Sequence, residues 1–98
     1  MLVLKTENMT LSEIKDYLVD HDMGGAIVFE APDYASAFVG TSEDGRAIYS
    51  YALMIESLMK EDDMNSNEAV EFIEFNTISS LPSLSEKAPI IMYEIDDA

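Results

Sequence analysis

Carboxylates are the side chains in this sequence whose number and spacing invite a chemical reading. Glu68, Glu71 and Glu74 recur at every third residue, and Glu61-Asp62-Asp63 stands just ahead of them. On a helix rising ~1.5 Å per residue, acids at i, i+3 repeat about every 4.5 Å, near the ~3.4 Å phosphate spacing of one DNA strand. Such a row can sit on a protein surface built to hold nucleic acid. The plainer reading, a solvated helix face, uses the same residues and is the commoner one.

Other constellations weaken when their chemistry is spelled out. Asp63-x-Asn65-x-Asn67, with Glu74 eleven positions after Asp63, has the spacing of an EF-hand loop, but its sixth position is Glu68 where the sharp turn needs Gly. Asn65 reads better as a helix cap, and no metal or other cofactor is expected. His21 is the lone imidazole, flanked by Asp20 and Asp22 near a helix end, where it suits the negative end of the dipole without any catalytic role. No Gly-x-Ser-x-Gly elbow occurs, and Gly24, Gly25, Gly40 and Gly45 frame neither a phosphate loop nor a dinucleotide fingerprint. Cysteine is absent, which removes disulfides, thiolate metal sites and a thiol nucleophile. Carboxylate pairs for glycoside-type chemistry are not specified by spacing. No catalytic residue is assigned; an enzyme or ligand site would have to be a pocket where Tyr49, Tyr51 and Tyr93 converge on a carboxylate.

The elements that must carry these residues follow from periodicity. Met1 to Leu4 reads as a short strand. Thr10 three residues before Glu13 is a capping-box spacing, and Leu11, Ile14 and Leu18 recur at helical intervals until Gly24-Gly25, predicting a helix over 11–22. Ala26 to Phe29 is a β-favouring run closed by Pro32-Asp33. Asp44-Gly45 between two apolar stretches predicts a hairpin over 37–49, because Gly tolerates positive φ. Ser50 caps a helix whose Tyr51, Met54, Ile55, Leu58 and Met59 form one apolar stripe, ending near Glu61-Asp62-Asp63. Asn65 and Glu68 cap another over 66–76, with Ala69, Val70, Phe72, Ile73 and Phe75 on its apolar side. Ile90 to Tyr93 reads as a last strand, and Glu94, Asp96 and Asp97 after it would discourage edge-to-edge pairing. The expected fold is α+β: one domain over 1–98, with a small antiparallel sheet of about three to five strands and about three helices packed on it.

From Ala35 onward the text resembles a group of small acidic proteins of unassigned function from bacteria and their phages. The resemblance runs through Ser42-Glu43-Asp44-Gly45-Arg46, Ile48-Tyr49-Ser50-Tyr51, Met54 to Met59, Glu68 to Ile73, Asn76-Thr77-Ile78 with Leu81-Pro82, and Ala88 to Ile91. That group carries Asp-Gly after the first of these helices where this chain has Asp62-Asp63, which puts the turn geometry there in question. The resemblance supplies no catalytic or ligand residues.

Twenty acidic against five basic residues give a net charge of −15, yet 48% of the chain is apolar, so the charge belongs to the surface of a folding domain and not to a disordered tail. Such a field repels nucleic acid and anionic lipid and attracts basic surfaces. A helix pair over 51–76 whose second member shows Glu68, Glu71 and Glu74 fails as a DNA-reading motif on sign alone. No apolar run nears the ~18 residues of a membrane span, and the first four residues are too short for a signal peptide core, so a cytoplasmic location is expected. The function expected is therefore a non-enzymatic acidic interaction protein. Its form would be a phage-type inhibitor, anti-CRISPR or anti-restriction, in which Glu61, Asp62, Asp63, Glu68, Glu71 and Glu74 occupy the basic surface of a nucleic-acid-binding enzyme. Two alternatives stand beside it: a small metal- or ligand-binding domain or enzyme with a carboxylate/Tyr pocket, and a homo-oligomeric structural protein.

Overall fold

The hairpin forms where the Asp-Gly signal lies. In the computed structural model, which describes residues 9–84 and 86–95, β1 (Phe38–Thr41) and β2 (Ala47–Ser50) pair antiparallel, with a register shift between Phe38 and Gly40. Gly45 takes φ 82° at the turn, and the Ser42 N–H donates to the Arg46 carbonyl at 2.8 Å. A side chain at Gly45 would be strained whatever the space around it. Arg46 then ties the hairpin to the far end of the chain, its Nε donating to the Ala88 carbonyl at 2.8 Å.

Three helices pack on the sheet. Helix α1 (Leu11–Asp20) opens with the Thr10/Glu13 capping box, both reciprocal bonds present at 2.8 and 3.2 Å, and buries Ile14 and Leu18. Helix α2 (Tyr51–Glu61) starts without a loop: Ser50 is both the last residue of β2 and the N-cap, its Oγ accepting from the Leu53 N–H at 3.1 Å. Helix α3 (Ser66–Phe72) opens with a second capping box, Asn65/Glu68, in which both bonds are 2.9 Å. The buried core joins Ile14 and Leu18 of α1 to Tyr34, Ala37, Phe38, Ala47, Tyr49, Met54, Leu58, Ala69 and Ile73. Two buried tyrosines satisfy their hydroxyls inside it: Tyr49 accepts from the Phe29 N–H at 3.3 Å, and Tyr34 shares a 2.9 Å bond with Thr77.

The α+β class and the helix count are as the sequence leads one to expect, while the sheet differs in detail. Its order is β1-β2-β3, and β3 (Ile90–Met92) runs parallel to β2, so the sheet is mixed and not purely antiparallel. Chain geometry explains this: two helices intervene between β2 and β3, a crossover long enough to return the chain to the same end before pairing. Ala26 to Phe29 joins no strand pair. Both flanks of β2 are already taken by β1 and β3, and the segment is held instead by the Tyr49 hydroxyl and by backbone bonds from the Ala26 N–H to the Met23 carbonyl, 3.0 Å, and from the Ile27 N–H to the Lys87 carbonyl, 3.1 Å. Helix α1 stops two residues short of the expected 22, because Asp22 enters the left-handed region at φ 60°. The expected strand at Met1 to Leu4 lies outside the described residues, as do Asp96 and Asp97.

Candidate interaction surface

Three consecutive acids, Glu61, Asp62 and Asp63, stand where α2 hands over to α3. Helix α2 closes on Asp62, whose N–H donates to the Leu58 carbonyl at 3.0 Å, and the next residue, Asp63, sits at φ 57°. That is the conformation glycine takes most cheaply and an L-residue takes at a cost, with Asp among the more tolerant. The acid pair thus makes the tight reversal that an Asp-Gly pair would make. Glu61 turns back along its own helix and accepts from Ser57 Oγ at 2.6 Å. Asp62 bears on the core: burial pushes the Tyr34 hydroxyl pKa up, its bond to Thr77 partly offsets this, and the Asp62 charge adds to the rise.

In α3 the helical geometry changes along its length. Residues Ser66–Phe72 are α-helical, Ile73–Thr77 form a π turn and Ile78–Ser83 a 3-10 segment, so the helical path runs past the expected end at 76. Ala69, Ile73 and Thr77, spaced by four, face inward. Phe75 follows Ile73 by two residues, about 200° round a helix, and therefore points away from the core. It is 75% exposed. The apolar side expected of this helix consequently loses Phe75 to the acidic face. Together Met64, Glu68, Glu71, Phe72, Phe75 and Asn76 line a shallow groove of about 330 Å³.

Glu74 faces a different set of partners. It accepts from the Tyr51 hydroxyl at 3.1 Å, and the Tyr51 ring lies against Tyr93, centroids 4.9 Å apart and tilted by 40°. Burial first, then the bond to and charge of Glu74, raise the Tyr51 hydroxyl pKa. Glu94 reaches the N-terminus of α2, accepting from the Ala52 N–H at 3.0 Å and from Ser50 Oγ. The Ser50 bond is the main cause of its lowered pKa. Sequence reasoning set Glu94 down as an edge-protecting charge; a carboxylate at a helix start is favourable for the reason a cap is, but no local spacing links residue 94 to residue 50.

The six acids singled out by sequence therefore do not form one flat patch. Glu68 and Glu71 rim the Phe75 groove, Glu74 binds Tyr51, and Glu61 lines a separate cleft of about 800 Å³ between the start of α1 and α2, where Lys60 and Glu56 accompany it. Asp62 and Asp63 shape the connection. Of the three tyrosines expected to converge on an acid, Tyr51 alone bonds one, Glu74; Tyr93 lies against the Tyr51 ring, and Tyr49 is fully buried against Phe29 and Phe38. Asn65, the middle residue of the EF-hand-like spacing, spends its side chain on the Glu68 N–H, and Glu68 spends one oxygen on the Asn65 N–H. Among the described residues no group of three or more His, Asp or Glu side chains is placed to hold a metal ion. His21 stacks on Tyr17, centroids 4.1 Å apart, with Nδ1 2.8 Å from the Tyr17 carbonyl, a structural use of the ring at a helix end. No helix among the described residues is long and apolar enough to cross a membrane. Comparison with family models, with curated proteins and with solved structures finds no match.

Proposed function

We propose that this protein is a non-enzymatic interaction protein whose acidic α2–α3 end covers the basic surface of a nucleic-acid-binding protein. Inhibitors that phages direct against host CRISPR or restriction enzymes are the class in which such a role belongs. The observation that supports it best is the placement of Phe75, an aromatic ring 75% exposed on the face that carries Glu68 and Glu71. Single exposed apolar residues are ordinary on a protein surface, as Val19 and Ile95 are here, but Phe75 is an aromatic ring set in a groove rimmed by acids. Interfaces draw their energy from a few aromatic anchors ringed by polar groups. The net charge of −15 supplies long-range attraction toward a basic cleft and a like-charge barrier against nucleic acid itself.

Capture from a host lysate tests this reading. Basic nucleic-acid-binding proteins should be retained at about 50 mM salt, released by several-fold more, and displaced by duplex DNA, because screening and competition both act on the same charges. The Glu68→Gln/Glu71→Gln/Glu74→Gln variant should retain far less. Retention of neutral proteins alone, or of the same set by the triple variant, refutes it.

A second reading rests on Tyr51, which bonds Glu74 through its hydroxyl and lies against Tyr93 through its ring, a carboxylate and two tyrosines of the kind a small ligand site would use. A melting-temperature screen across divalent metals separates the two, since any ligand of the native state alone raises the melting point.

A further inference from the structure

The Phe75 groove has a chemistry more specific than acidity. Met64 and Phe72 are half-buried there and Phe75 is exposed, so the groove offers an apolar lining with one open aromatic ring. None of its lining residues is basic. Its polar groups are acceptors with capacity to spare. Glu68 commits Oε1 to the Asn65 N–H at 2.9 Å, leaving Oε2. Asn76 commits its amide nitrogen to the Phe72 carbonyl at 3.2 Å, leaving Oδ1 to accept. Glu71 lies four residues before Phe75 and is exposed, its carboxylate in no hydrogen bond or ion pair with the described residues.

A planar cation with several donors is the complement of such a site. Guanidinium stacks flat on an aromatic face, keeps its edge free for bidentate bonds to a carboxylate, and sheds water more easily than an ammonium. A lysine would bring the same charge but one compact, strongly hydrated head. We infer that the groove seats an arginine side chain of the basic partner, its guanidinium stacked on Phe75 and bonded at the rim by Glu71. The inference rests on the basic-partner reading above and adds the residue type the surface selects.

Hexaarginine amide and hexalysine amide, titrated calorimetrically against the full chain at low salt, are the test. Their charges are equal, so unspecific attraction largely cancels in the ratio of their affinities. The wild-type protein should prefer hexaarginine by about two- to fivefold, because lysine shares the cation–π attraction but lacks the flat stacking and the bidentate bond. Phe75→Tyr should keep the preference, and Phe75→Leu, which retains bulk without a π face, should lower the ratio to the part that Glu71 supplies. Glu71→Gln should weaken hexaarginine more than hexalysine. A ratio of one in the wild type, or a preference that Phe75→Leu leaves undiminished, overturns the arginine seat while the basic-partner reading stands, because both peptides still bind. Absence of binding by either peptide overturns both.

Discussion

Replacing Asp63 by glycine should make this protein more stable, and the size of the gain follows from the turn between α2 and α3. Asp63 holds φ 57° as the third consecutive acid at the C-terminus of α2, where Lys60 is the basic residue of the last turn. Two costs meet there. Left-handed backbone costs an L-residue about 1–2 kcal/mol, with Asp at the low end because its side chain can bond locally. A carboxylate near the negative pole of a helix costs about 0.3–1 kcal/mol at low salt. Glycine removes both and gives back about 0.4–1 kcal/mol through the greater freedom of its unfolded chain. The balance is a stabilisation of about 1 kcal/mol, which for a domain of this size is a rise of about 4–8 °C in melting temperature. Asp63→Asn divides the terms, since asparagine drops the charge but still tolerates the left-handed region. It should gain only the electrostatic part, and that part should vanish near 1 M salt, where the Debye length is about 3 Å. Calorimetry of the three proteins at low and high salt is the assay. If Asp63→Gly melts at or below the wild type at both salts, the turn stores no backbone cost and the reasoning fails.

The remaining expectations bear on single contacts. Tyr49→Phe leaves the Phe29 N–H without its hydroxyl partner and should cost about 1–2 kcal/mol in chemical denaturation; no loss would mean that water or another group replaces the bond. Burial pushes the Tyr49 pKa up to about 12, so its contribution to stability is complete below the ordinary tyrosine value near 10 and is lost as pH rises toward the folded value. Absorbance near 295 nm should show the two buried tyrosines, Tyr49 and Tyr34, ionising after the exposed ones and in step with alkaline unfolding. The lowered pKa of Glu94 works in the other direction: its stabilisation is present above the ordinary glutamate value and is lost as pH falls through the lower folded one. Glu94→Gln should therefore flatten the acid limb of a melting-temperature profile and leave the alkaline limb unchanged. Phe75→Ser should alter stability by no more than about 0.5 kcal/mol, whereas Ile73→Ala, two residues away and fully buried, should cost about 2–5 kcal/mol; equal losses would show that Phe75 is packed.

Local signals in the sequence carry most of the elements. The Thr10/Glu13 and Asn65/Glu68 boxes, Ser50 as a cap and Asp44-Gly45 as a turn each act within a few residues, and each is realised in the structure. What local pattern does not reach is whatever depends on partners far along the chain. Ala26 to Phe29 has strand-like composition but no vacancy beside β2, which only the β2–β3 pairing reveals. Glu94 meets Ser50 and Ala52 across more than forty residues. Phe75 was legible in principle, since Ala69 and Ile73 already set the buried face and leave it on the far side. Counting it as apolar bulk instead of as a position on a helix hid it. The six acids were found by composition, but their division among a groove, a cleft and a tyrosine pair depends on where the chain turns, which charge spacing does not encode.

The parallel pairing of β2 with β3 also bears on how the chain is made. During synthesis β1, β2, α2 and α3 emerge well before Ile90–Met92, so one flank of β2 waits with open backbone donors and acceptors until that strand arrives. The hairpin can close early and locally, whereas the third strand can dock only after both helices have folded back. A chain cut short before residue 90 would carry an unprotected strand edge beneath its helices, so on the ribosome or after proteolysis the vulnerable species is the one that lacks β3 alone.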